Sequence, residues 1–357
     1  MLRIRQLEKR LSQAIFDRVQ IDVLDQVFRV FQAAAEQDNM ITISTILRKT
    51  NTHRLGKRMI ALSGGMLLLA GLAAGCAGPA GGSTSMSLKV GVMPAVDAAP
   101  ILLADQKGFF QELGLDVDVQ VYTNAMNRQS ALQSGELDGA MTDVIALVNN
   151  VENGFDIKVT TSTDGVFPFL MKEDITGKTD IKAGVMEVSV TNYLSDRSLG
   201  NLFKLEKIYI NEIPARLEMI SKGELDLAVI PEPMASQGEL TGLIKRLYPN
   251  EDKFSPDVMV FTGKAIQDKN KALRLFHQAY NKAVAEITAD DGEARDILIK
   301  TLNLKTEIKD KILMPVYHQA RVPDEAYLRQ IMAWNEQVLG KKISLDYDEL
   351  VDDSFIG

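Results

Sequence analysis

The sequence predicts an α/β protein of two lobes, each a doubly wound, mostly parallel sheet, with a helical C-terminal tail packed on lobe one. Three observations predict it. Short apolar runs alternate with helical patterns from residue 88 onward, a seven-residue pattern recurs in the two halves, and nearly everything beyond residue 263 has helical character.

In the first lobe, residues 88–93 form a strand and 99–106 a helix closed by Gly108. Residues 116–122, with Val117, Val119 and Val121 alternating, form a second strand. Asn124 caps a helix running to Gln133, stopped by Gly135. A strand at 137–141, a helix from near Asp143 and a strand at 157–162 complete one doubly wound half. Ser134-Gly135-Glu136-Leu137-Asp138-Gly139-Ala140 is echoed by Lys222-Gly223-Glu224-Leu225-Asp226-Leu227-Ala228, with five of seven positions identical. Glycine is favoured at any helix-to-strand turn, so one such match could be coincidence. Its length and its spacing by one lobe point instead to two lobes of related plan.

The second lobe has strands at 182–186, 207–210, 225–230 and 243–247, and a strand at 258–261 returns to the first. Helices at 265–287, 293–302 and 323–339 make the tail, which finds a core only on lobe one. The expected organisation is 88–169 plus 257–357 as lobe one and 170–256 as lobe two.

The region before residue 88 reads differently. From Met40 to Cys76 there is no acidic residue, and Arg48, Lys49, Arg54, Lys57 and Arg58 precede an apolar run at 59–74 that ends in small residues. That order is the one a secretory signal has, and the run is shorter than the ~20 residues a permanent span needs. Its end, Leu72-Ala73-Ala74-Gly75-Cys76, resembles the lipobox of bacterial lipoproteins, which implies cleavage before Cys76 and acylation there, palmitate included. The family pattern has Leu three residues before the Cys; here Leu72 stands one place earlier. The other reading is a buried free cysteine in an apolar helix. Residues 40–75 are thus the expected signal peptide and 76–87 a lipidated, Gly- and Ser-rich tether. Residues 1–39 read either as an amphipathic helix or as an artefact of start assignment, with translation beginning at Met40.

The chain has 357 residues, 46% hydrophobic and 25% charged, with a net charge of −8. The acidic balance, with no basic cluster after residue 88, excludes a nucleic-acid partner. With one Cys there is no disulfide framework and no thiol site in the folded part. His53 lies in the leader and His277 and His318 in the tail, so neither a metal centre nor a catalytic constellation is expected, nor any cofactor.

Four segments then carry a resemblance. They are Ala99-Pro100-Ile101-Leu102-Leu103-Ala104 with Lys107-Gly108-Phe109-Phe110, Ala131-Leu132-Gln133-Ser134-Gly135-Glu136-Leu137-Asp138, Pro231-Glu232-Pro233, and the ending Trp334, Gly340, Tyr347-Asp348-Glu349-Leu350-Val351-Asp352. In this order they resemble the type II periplasmic binding proteins of the nitrate, sulfonate, taurine and thiamine-precursor group, over residues 88 to the C-terminus. The resemblance implies a monomeric receptor at the cell envelope, in the periplasm or on the outer face of the cytoplasmic membrane. It would be held by lipid and serve the permease and ATPase subunits of an ABC importer. Enzymes of thiamine-pyrimidine synthesis and of the menaquinone pathway are similar too, but the secretion signal favours the receptor. A transcription regulator's sensor domain would need a basic helix-turn-helix ahead of residue 88, and none is evident.

Ligands in open α/β sheets lie beyond the carboxyl ends of strands. The loops there supply the expected ligand-binding residues Asp97, Asn124, Thr142, Asp143, Ser162, Thr163, Asp164, Glu187, Ser189, Thr191 and Glu232. Asp97, Asp143, Ser189 and Thr191 also suit plain helix caps, and Glu232 a solvated turn. Five carboxylates with no Lys or Arg in the same loops favour a nitrogenous ligand such as a thiamine-precursor pyrimidine, with a sulfonate or nitrate as the other class.

Overall fold

The computed structural model describes residues 86–248, 252 and 254–356, so the expected leader, Cys76 and most of the tether lie outside the described residues. Strand β1 (Met86–Val92) starts two residues before the expected strand at 88, inside the expected tether, because Met86 and Ser87 already pair with Leu115 and Asp116 of β2 (Leu115–Val121). Between them lie a 3-10 turn (Val96–Ala98), α1 (Ala99–Gln106) and α2 (Phe109–Glu112). Helix α3 (Ala125–Gln133) follows, capped by the Asn124 side chain, which accepts from the Met126 and Asn127 amides. Then come β3 (Gly139–Asp143), α4 (Val144–Glu152) and β4 (Ile157–Ser162).

The chain next crosses to the second sheet through β5 (Phe169–Met171). It continues as β6 (Asp180–Val185), α5 (Val190–Leu199), β7 (Lys204–Tyr209), α6 (Ile213–Lys222), β8 (Leu227–Val229), α7 (Met234–Leu240) and β9 (Ile244–Arg246). It returns as β10 (Asp257–Thr262).

The two five-stranded sheets have orders β2-β1-β3-β10-β4 and β7-β6-β8-β5-β9. In each, the first three strands are parallel, and the strand by which the chain enters from the other lobe runs antiparallel. The repeat seen in the sequence is therefore structural. Ala183 and Gly184 face Leu227 and Ala228 in lobe two as Val90 and Gly91 face Gly139 and Ala140 in lobe one. Gly135 and Gly223, with φ of 76° and 77°, stop the matching helices in the left-handed conformation that glycine adopts without strain.

Crowding explains a second glycine. A Cβ on Gly139 would lie 2.5 Å from the Phe261 ring and 2.6 Å from the Val260 carbonyl oxygen, both on the neighbouring strand. A carbonyl held in the sheet cannot move aside without breaking the ladder. Gly139→Ala should thus cost about 1–3 kcal/mol, read from the urea midpoint. An unchanged midpoint would show that the sheet yields there.

The tail comprises α8 (Gly263–Asp268), α9 (Asn270–Ala289), α10 (Gly292–Thr301), a 3-10 turn (Thr306–Lys311), α11 (Glu325–Leu339) and α12 (Tyr347–Leu350). Helix α9 buries Ala272, Leu273, Phe276, Ala279, Tyr280, Ala283 and Ile287 along one stripe. Phe276 stacks on Phe110 at 5.4 Å and meets Phe261 edge-on at 5.5 Å, which fixes α9 to lobe one. His277, expected in a helix, is a core residue. Its rings nitrogens meet the Leu273 carbonyl at 2.7 Å and the Thr160 hydroxyl at 3.1 Å, and burial pulls its pKa down to about 4.

Two expectations for the tail need correction. Residues 265–287 are not one helix but two, broken at Lys269, and residues 312–324 form neither helix nor strand. Pro315 and Pro323 lack the amide a helix needs and push the residue before them out of helical geometry. The tail also touches lobe two: Trp334 Nε1 donates to Asp196 at 2.9 Å, and Gln330 donates to the Tyr193 hydroxyl at 2.6 Å. Among the described residues no helix is long and apolar enough to cross a membrane.

Candidate functional site

Both sheets direct the carboxyl ends of their parallel strands at one cavity of about 120 Å³ between the lobes. Lobe one supplies Met93, Ala95 and Asp97 after β1, Arg128 from α3, Thr142 and Asp143 at the end of β3, and Asp257 at the start of antiparallel β10. Lobe two supplies Val188, Ser189 and Thr191 after β6, Asn211, Ile213 and Arg216 around the start of α6, and Pro231 after β8. Of the eleven residues expected at the ligand, Asp97, Thr142, Asp143, Ser189 and Thr191 line this cavity.

The other six stand elsewhere. Asn124 sits at the cleft mouth, where its amide donates to Glu212 of the opposite lobe. Glu187 is exposed, and its carbonyl accepts from Asn192 at 2.6 Å. Ser162 and Thr163 are buried at the first crossover, and their hydroxyls have no partner. Asp164 accepts from His318 at 3.1 Å and Arg321 at 3.2 Å, and the three line a separate pocket. Glu232 is fully buried and accepts from Lys245 Nζ at 2.9 Å, Ser236 Oγ at 2.8 Å and the Leu313 amide at 3.3 Å.

The picture of five carboxylates with no basic partner is therefore corrected. Arg128, Lys245 and Arg321 reach them from α3, β9 and the tail. Loops compared with loops cannot reveal partners that sit on other elements: Arg321 is 157 residues from Asp164.

What remains in the cavity is still unusual. Asp97, Asp143 and Asp257 gather around the buried Arg128. Burial pushes Asp97 up to about 7, with Arg128 opposing the rise. Burial raises Asp143 as well, against its hydrogen bond from the Ala146 amide at 2.8 Å. Asp257 is driven well above the carboxylate range by burial and by the Asp97 charge, although Ser255 Oγ donates to it at 2.6 Å. Arg128 donates to Thr142 Oγ1 at 3.1 Å and leaves its Nε unpaired.

Arg216 is the counterpart in lobe two. It is 1% exposed, donates to the Val229 carbonyl at 2.7 Å, and also leaves Nε unpaired. Burial pulls its pKa down to about 10, so it stays charged at neutral pH. Asp257, Arg128 and Arg216 were missed from the sequence, yet one signal was present. Arg128 and Arg216 stand four residues after the matching positions Asn124 and Glu212, so the repeat extends further toward the N-terminus than its identical residues suggest.

Residues 81–188 match the model of the NMT1-like family. The ligand-binding component of an ABC-type import system from Staphylococcus aureus superposes with a TM-score of 0.64 at 18% identity, over 76% of this chain and 97% of that one. The chain has the periplasmic-binding-protein fold. The aliphatic sulphonate binding protein SsuA of Escherichia coli gives 0.62 at 16% identity, over 76% and 99% of the two chains. The nitrate-binding protein NrtA of Synechocystis PCC 6803 gives 0.51 at 16%, over 63% and 69%. The resemblance to the sulfonate and nitrate receptor group thus holds in fold. In sequence, 59 residues are 32% identical to the nitrate import ATP-binding protein NrtC of Synechococcus elongatus, a stretch covering 16% of this chain and only 9% of that protein.

Proposed function

We propose that this chain is the extracytoplasmic substrate-binding component of an ABC importer. It would capture a small metabolite between its lobes, deliver it to a permease and its ATPase, and carry out no chemistry. The observation that carries this reading is the interlobe cavity, to which both lobes contribute polar residues at the strand carboxyl ends, on a fold shared with import receptors. A ligand touching both walls makes contacts only the closed form offers, and so draws the lobes together. The carboxylates Asp97, Asp143 and Asp257 support a nitrogenous, donor-bearing end on the ligand, rather than a bare sulfonate or nitrate. A thermal-shift screen of pyrimidines, amines, amino acids, sulfonates and nitrate tests the reading, since a ligand bound only by the native state raises its stability. A screen in which nothing stabilises the protein would count against a receptor.

The same proposal holds the receptor, as a monomer, on the membrane by lipid at Cys76. Cys76→Ser should move the protein from the membrane to the soluble fraction with its thermal midpoint unchanged, because the expected tether uncouples anchor from globule. A serine variant that stays in the membrane fraction would rule the anchor out.

A further inference from the structure

The pocket lined by Asp164, His318 and Arg321 has a volume of about 260 Å³ and lies at the hinge. Its wall takes residues from the first crossover (164–169), from the second (254–256) and from the tail (315–321). These segments are tied to one another at this point. The Ser162 amide donates to the Arg321 carbonyl at 2.6 Å, and the Thr163 amide to the Asp257 carbonyl at 2.9 Å. Two contacts join the hinge pocket to the interlobe cavity: Phe167 lines both, and Ser255 of the hinge pocket donates to Asp257 of the cavity.

The accessible surface of this pocket combines flat apolar groups with a guanidinium. Phe167, Tyr248 and Phe254 are half-buried in its wall, and Leu247 and Val316 line it while staying 52% and 79% exposed. Its two carboxylates are buried and engaged. The Asp164 side chain is 9% exposed and accepts from His318 and Arg321, and that of Asp252 is 4% exposed and accepts from Arg197 at 2.9 Å. The Arg321 side chain is 29% exposed. Its guanidinium lies over the Phe254 ring at 4.4 Å, and among the described residues only its Nη2 has a hydrogen-bond partner, Asp164 at 3.2 Å.

We propose that the hinge pocket is a second ligand site, for a small aromatic carboxylate whose ring packs among Phe167, Tyr248 and Phe254 and whose carboxylate meets Arg321. A guanidinium can hold a carboxylate through its N–H donors while its face stays on an aromatic ring. A flat ring makes offset and edge-on contacts with the three aromatic side chains that a puckered ring does not. A molecule touching both crossovers and the tail gains all these contacts only while the three keep their present arrangement, so it stiffens the hinge. This site goes beyond the receptor reading and does not depend on what the interlobe cavity holds.

The test is calorimetric titration of the wild-type protein with benzoate, benzamide and cyclohexanecarboxylate. Benzoate should bind about three- to thirtyfold tighter than benzamide, which lacks the charge, and about two- to tenfold tighter than cyclohexanecarboxylate, which lacks the flat ring. Arg321→Gln should bring benzoate down to the level of benzamide. Should that variant fail to fold, Val316→Glu changes only an exposed side chain, and its charge should weaken benzoate about three- to tenfold. Asn211→Asp places the same charge in the interlobe cavity and should leave benzoate binding unchanged. With benzoate bound, amide exchange should slow at residues 163–169, 254–257 and 316–321. Benzoate that does not bind, that binds no tighter than either analogue, or that is weakened by Asn211→Asp and not by Val316→Glu overturns the proposal. Exchange slowed only around the interlobe cavity overturns it as well. None of these outcomes bears on the receptor reading, which the metabolite screen tests separately.

Discussion

Lys245→Met should lower stability by about 3–5 kcal/mol, the cost of leaving a buried carboxylate without its cation. Lys245 Nζ donates to Glu232 at 2.9 Å, to Ser236 Oγ at 2.8 Å and to the Lys311 carbonyl at 2.7 Å, and Glu232 is fully buried. Methionine fills much of the same volume, so the loss is electrostatic rather than a cavity. Glu232→Gln in the same background should restore most of the stability, because a neutral amide is far cheaper to bury than an unpaired charge. Urea denaturation of the two single variants and the double variant measures the coupling. Hydrogen exchange should loosen first around residues 306–313, since Lys245 and Glu232 tie the tail to lobe two there. A Lys245→Met protein as stable as wild type would mean that Glu232 is hydrated, as a ligand-facing or turn residue would be.

That pair shows where sequence reasoning stopped. Elements with local signals were legible: 99–106 and 157–162 were expected with the observed bounds, and Asn124 was identified as the cap of the helix ending at Gln133. Caps, stopping glycines and alternation act within a few residues, so they can be found in a single sequence. Strand β5 was not foreseen, because three wholly buried residues show no alternation. The irregular run 312–324 was lost inside a tail whose composition looks helical throughout.

Part of the cavity lining was legible by the same measure. The position of each loop at a strand end was enough to place Asp97, Asp143, Ser189 and Thr191 at the cavity. Electrostatic pairing was not legible, because Arg128, Lys245 and Arg321 reach their carboxylates from elements chosen by topology. Glu232 lies in a loop at the right end of its sheet, yet its side chain turns inward to Lys245 and Ser236.

Asp97→Asn should stabilise the unliganded protein at pH 8 by up to about 4 kcal/mol, and by almost nothing at pH 4. In the folded protein burial holds the Asp97 proton until about pH 7, whereas the ordinary value is 3.8. Between these values the native state binds more protons than the unfolded chain, so this residue's contribution is fully present below pH 4, falls as pH rises, and is level above 7. Each pH unit in the window is worth about 1.36 kcal/mol, which sets the ceiling. Asparagine carries no charge to bury, and its removal also lowers the neighbouring Asp257, whose rise owes part to the Asp97 charge. Thermal unfolding of both proteins from pH 4 to 8 should show wild type falling across the range and the variant falling less. The same substitution should weaken an ammonium-bearing ligand. In wild type such a ligand favours the ionised carboxylate, so it expels a proton on binding and binds more tightly at pH 8 than at pH 6. Titrations in two buffers of different ionisation enthalpy detect that proton. A variant no more stable than wild type at pH 8 would place Asp97 in contact with solvent, and binding independent of pH would remove it from the ligand's cationic pole.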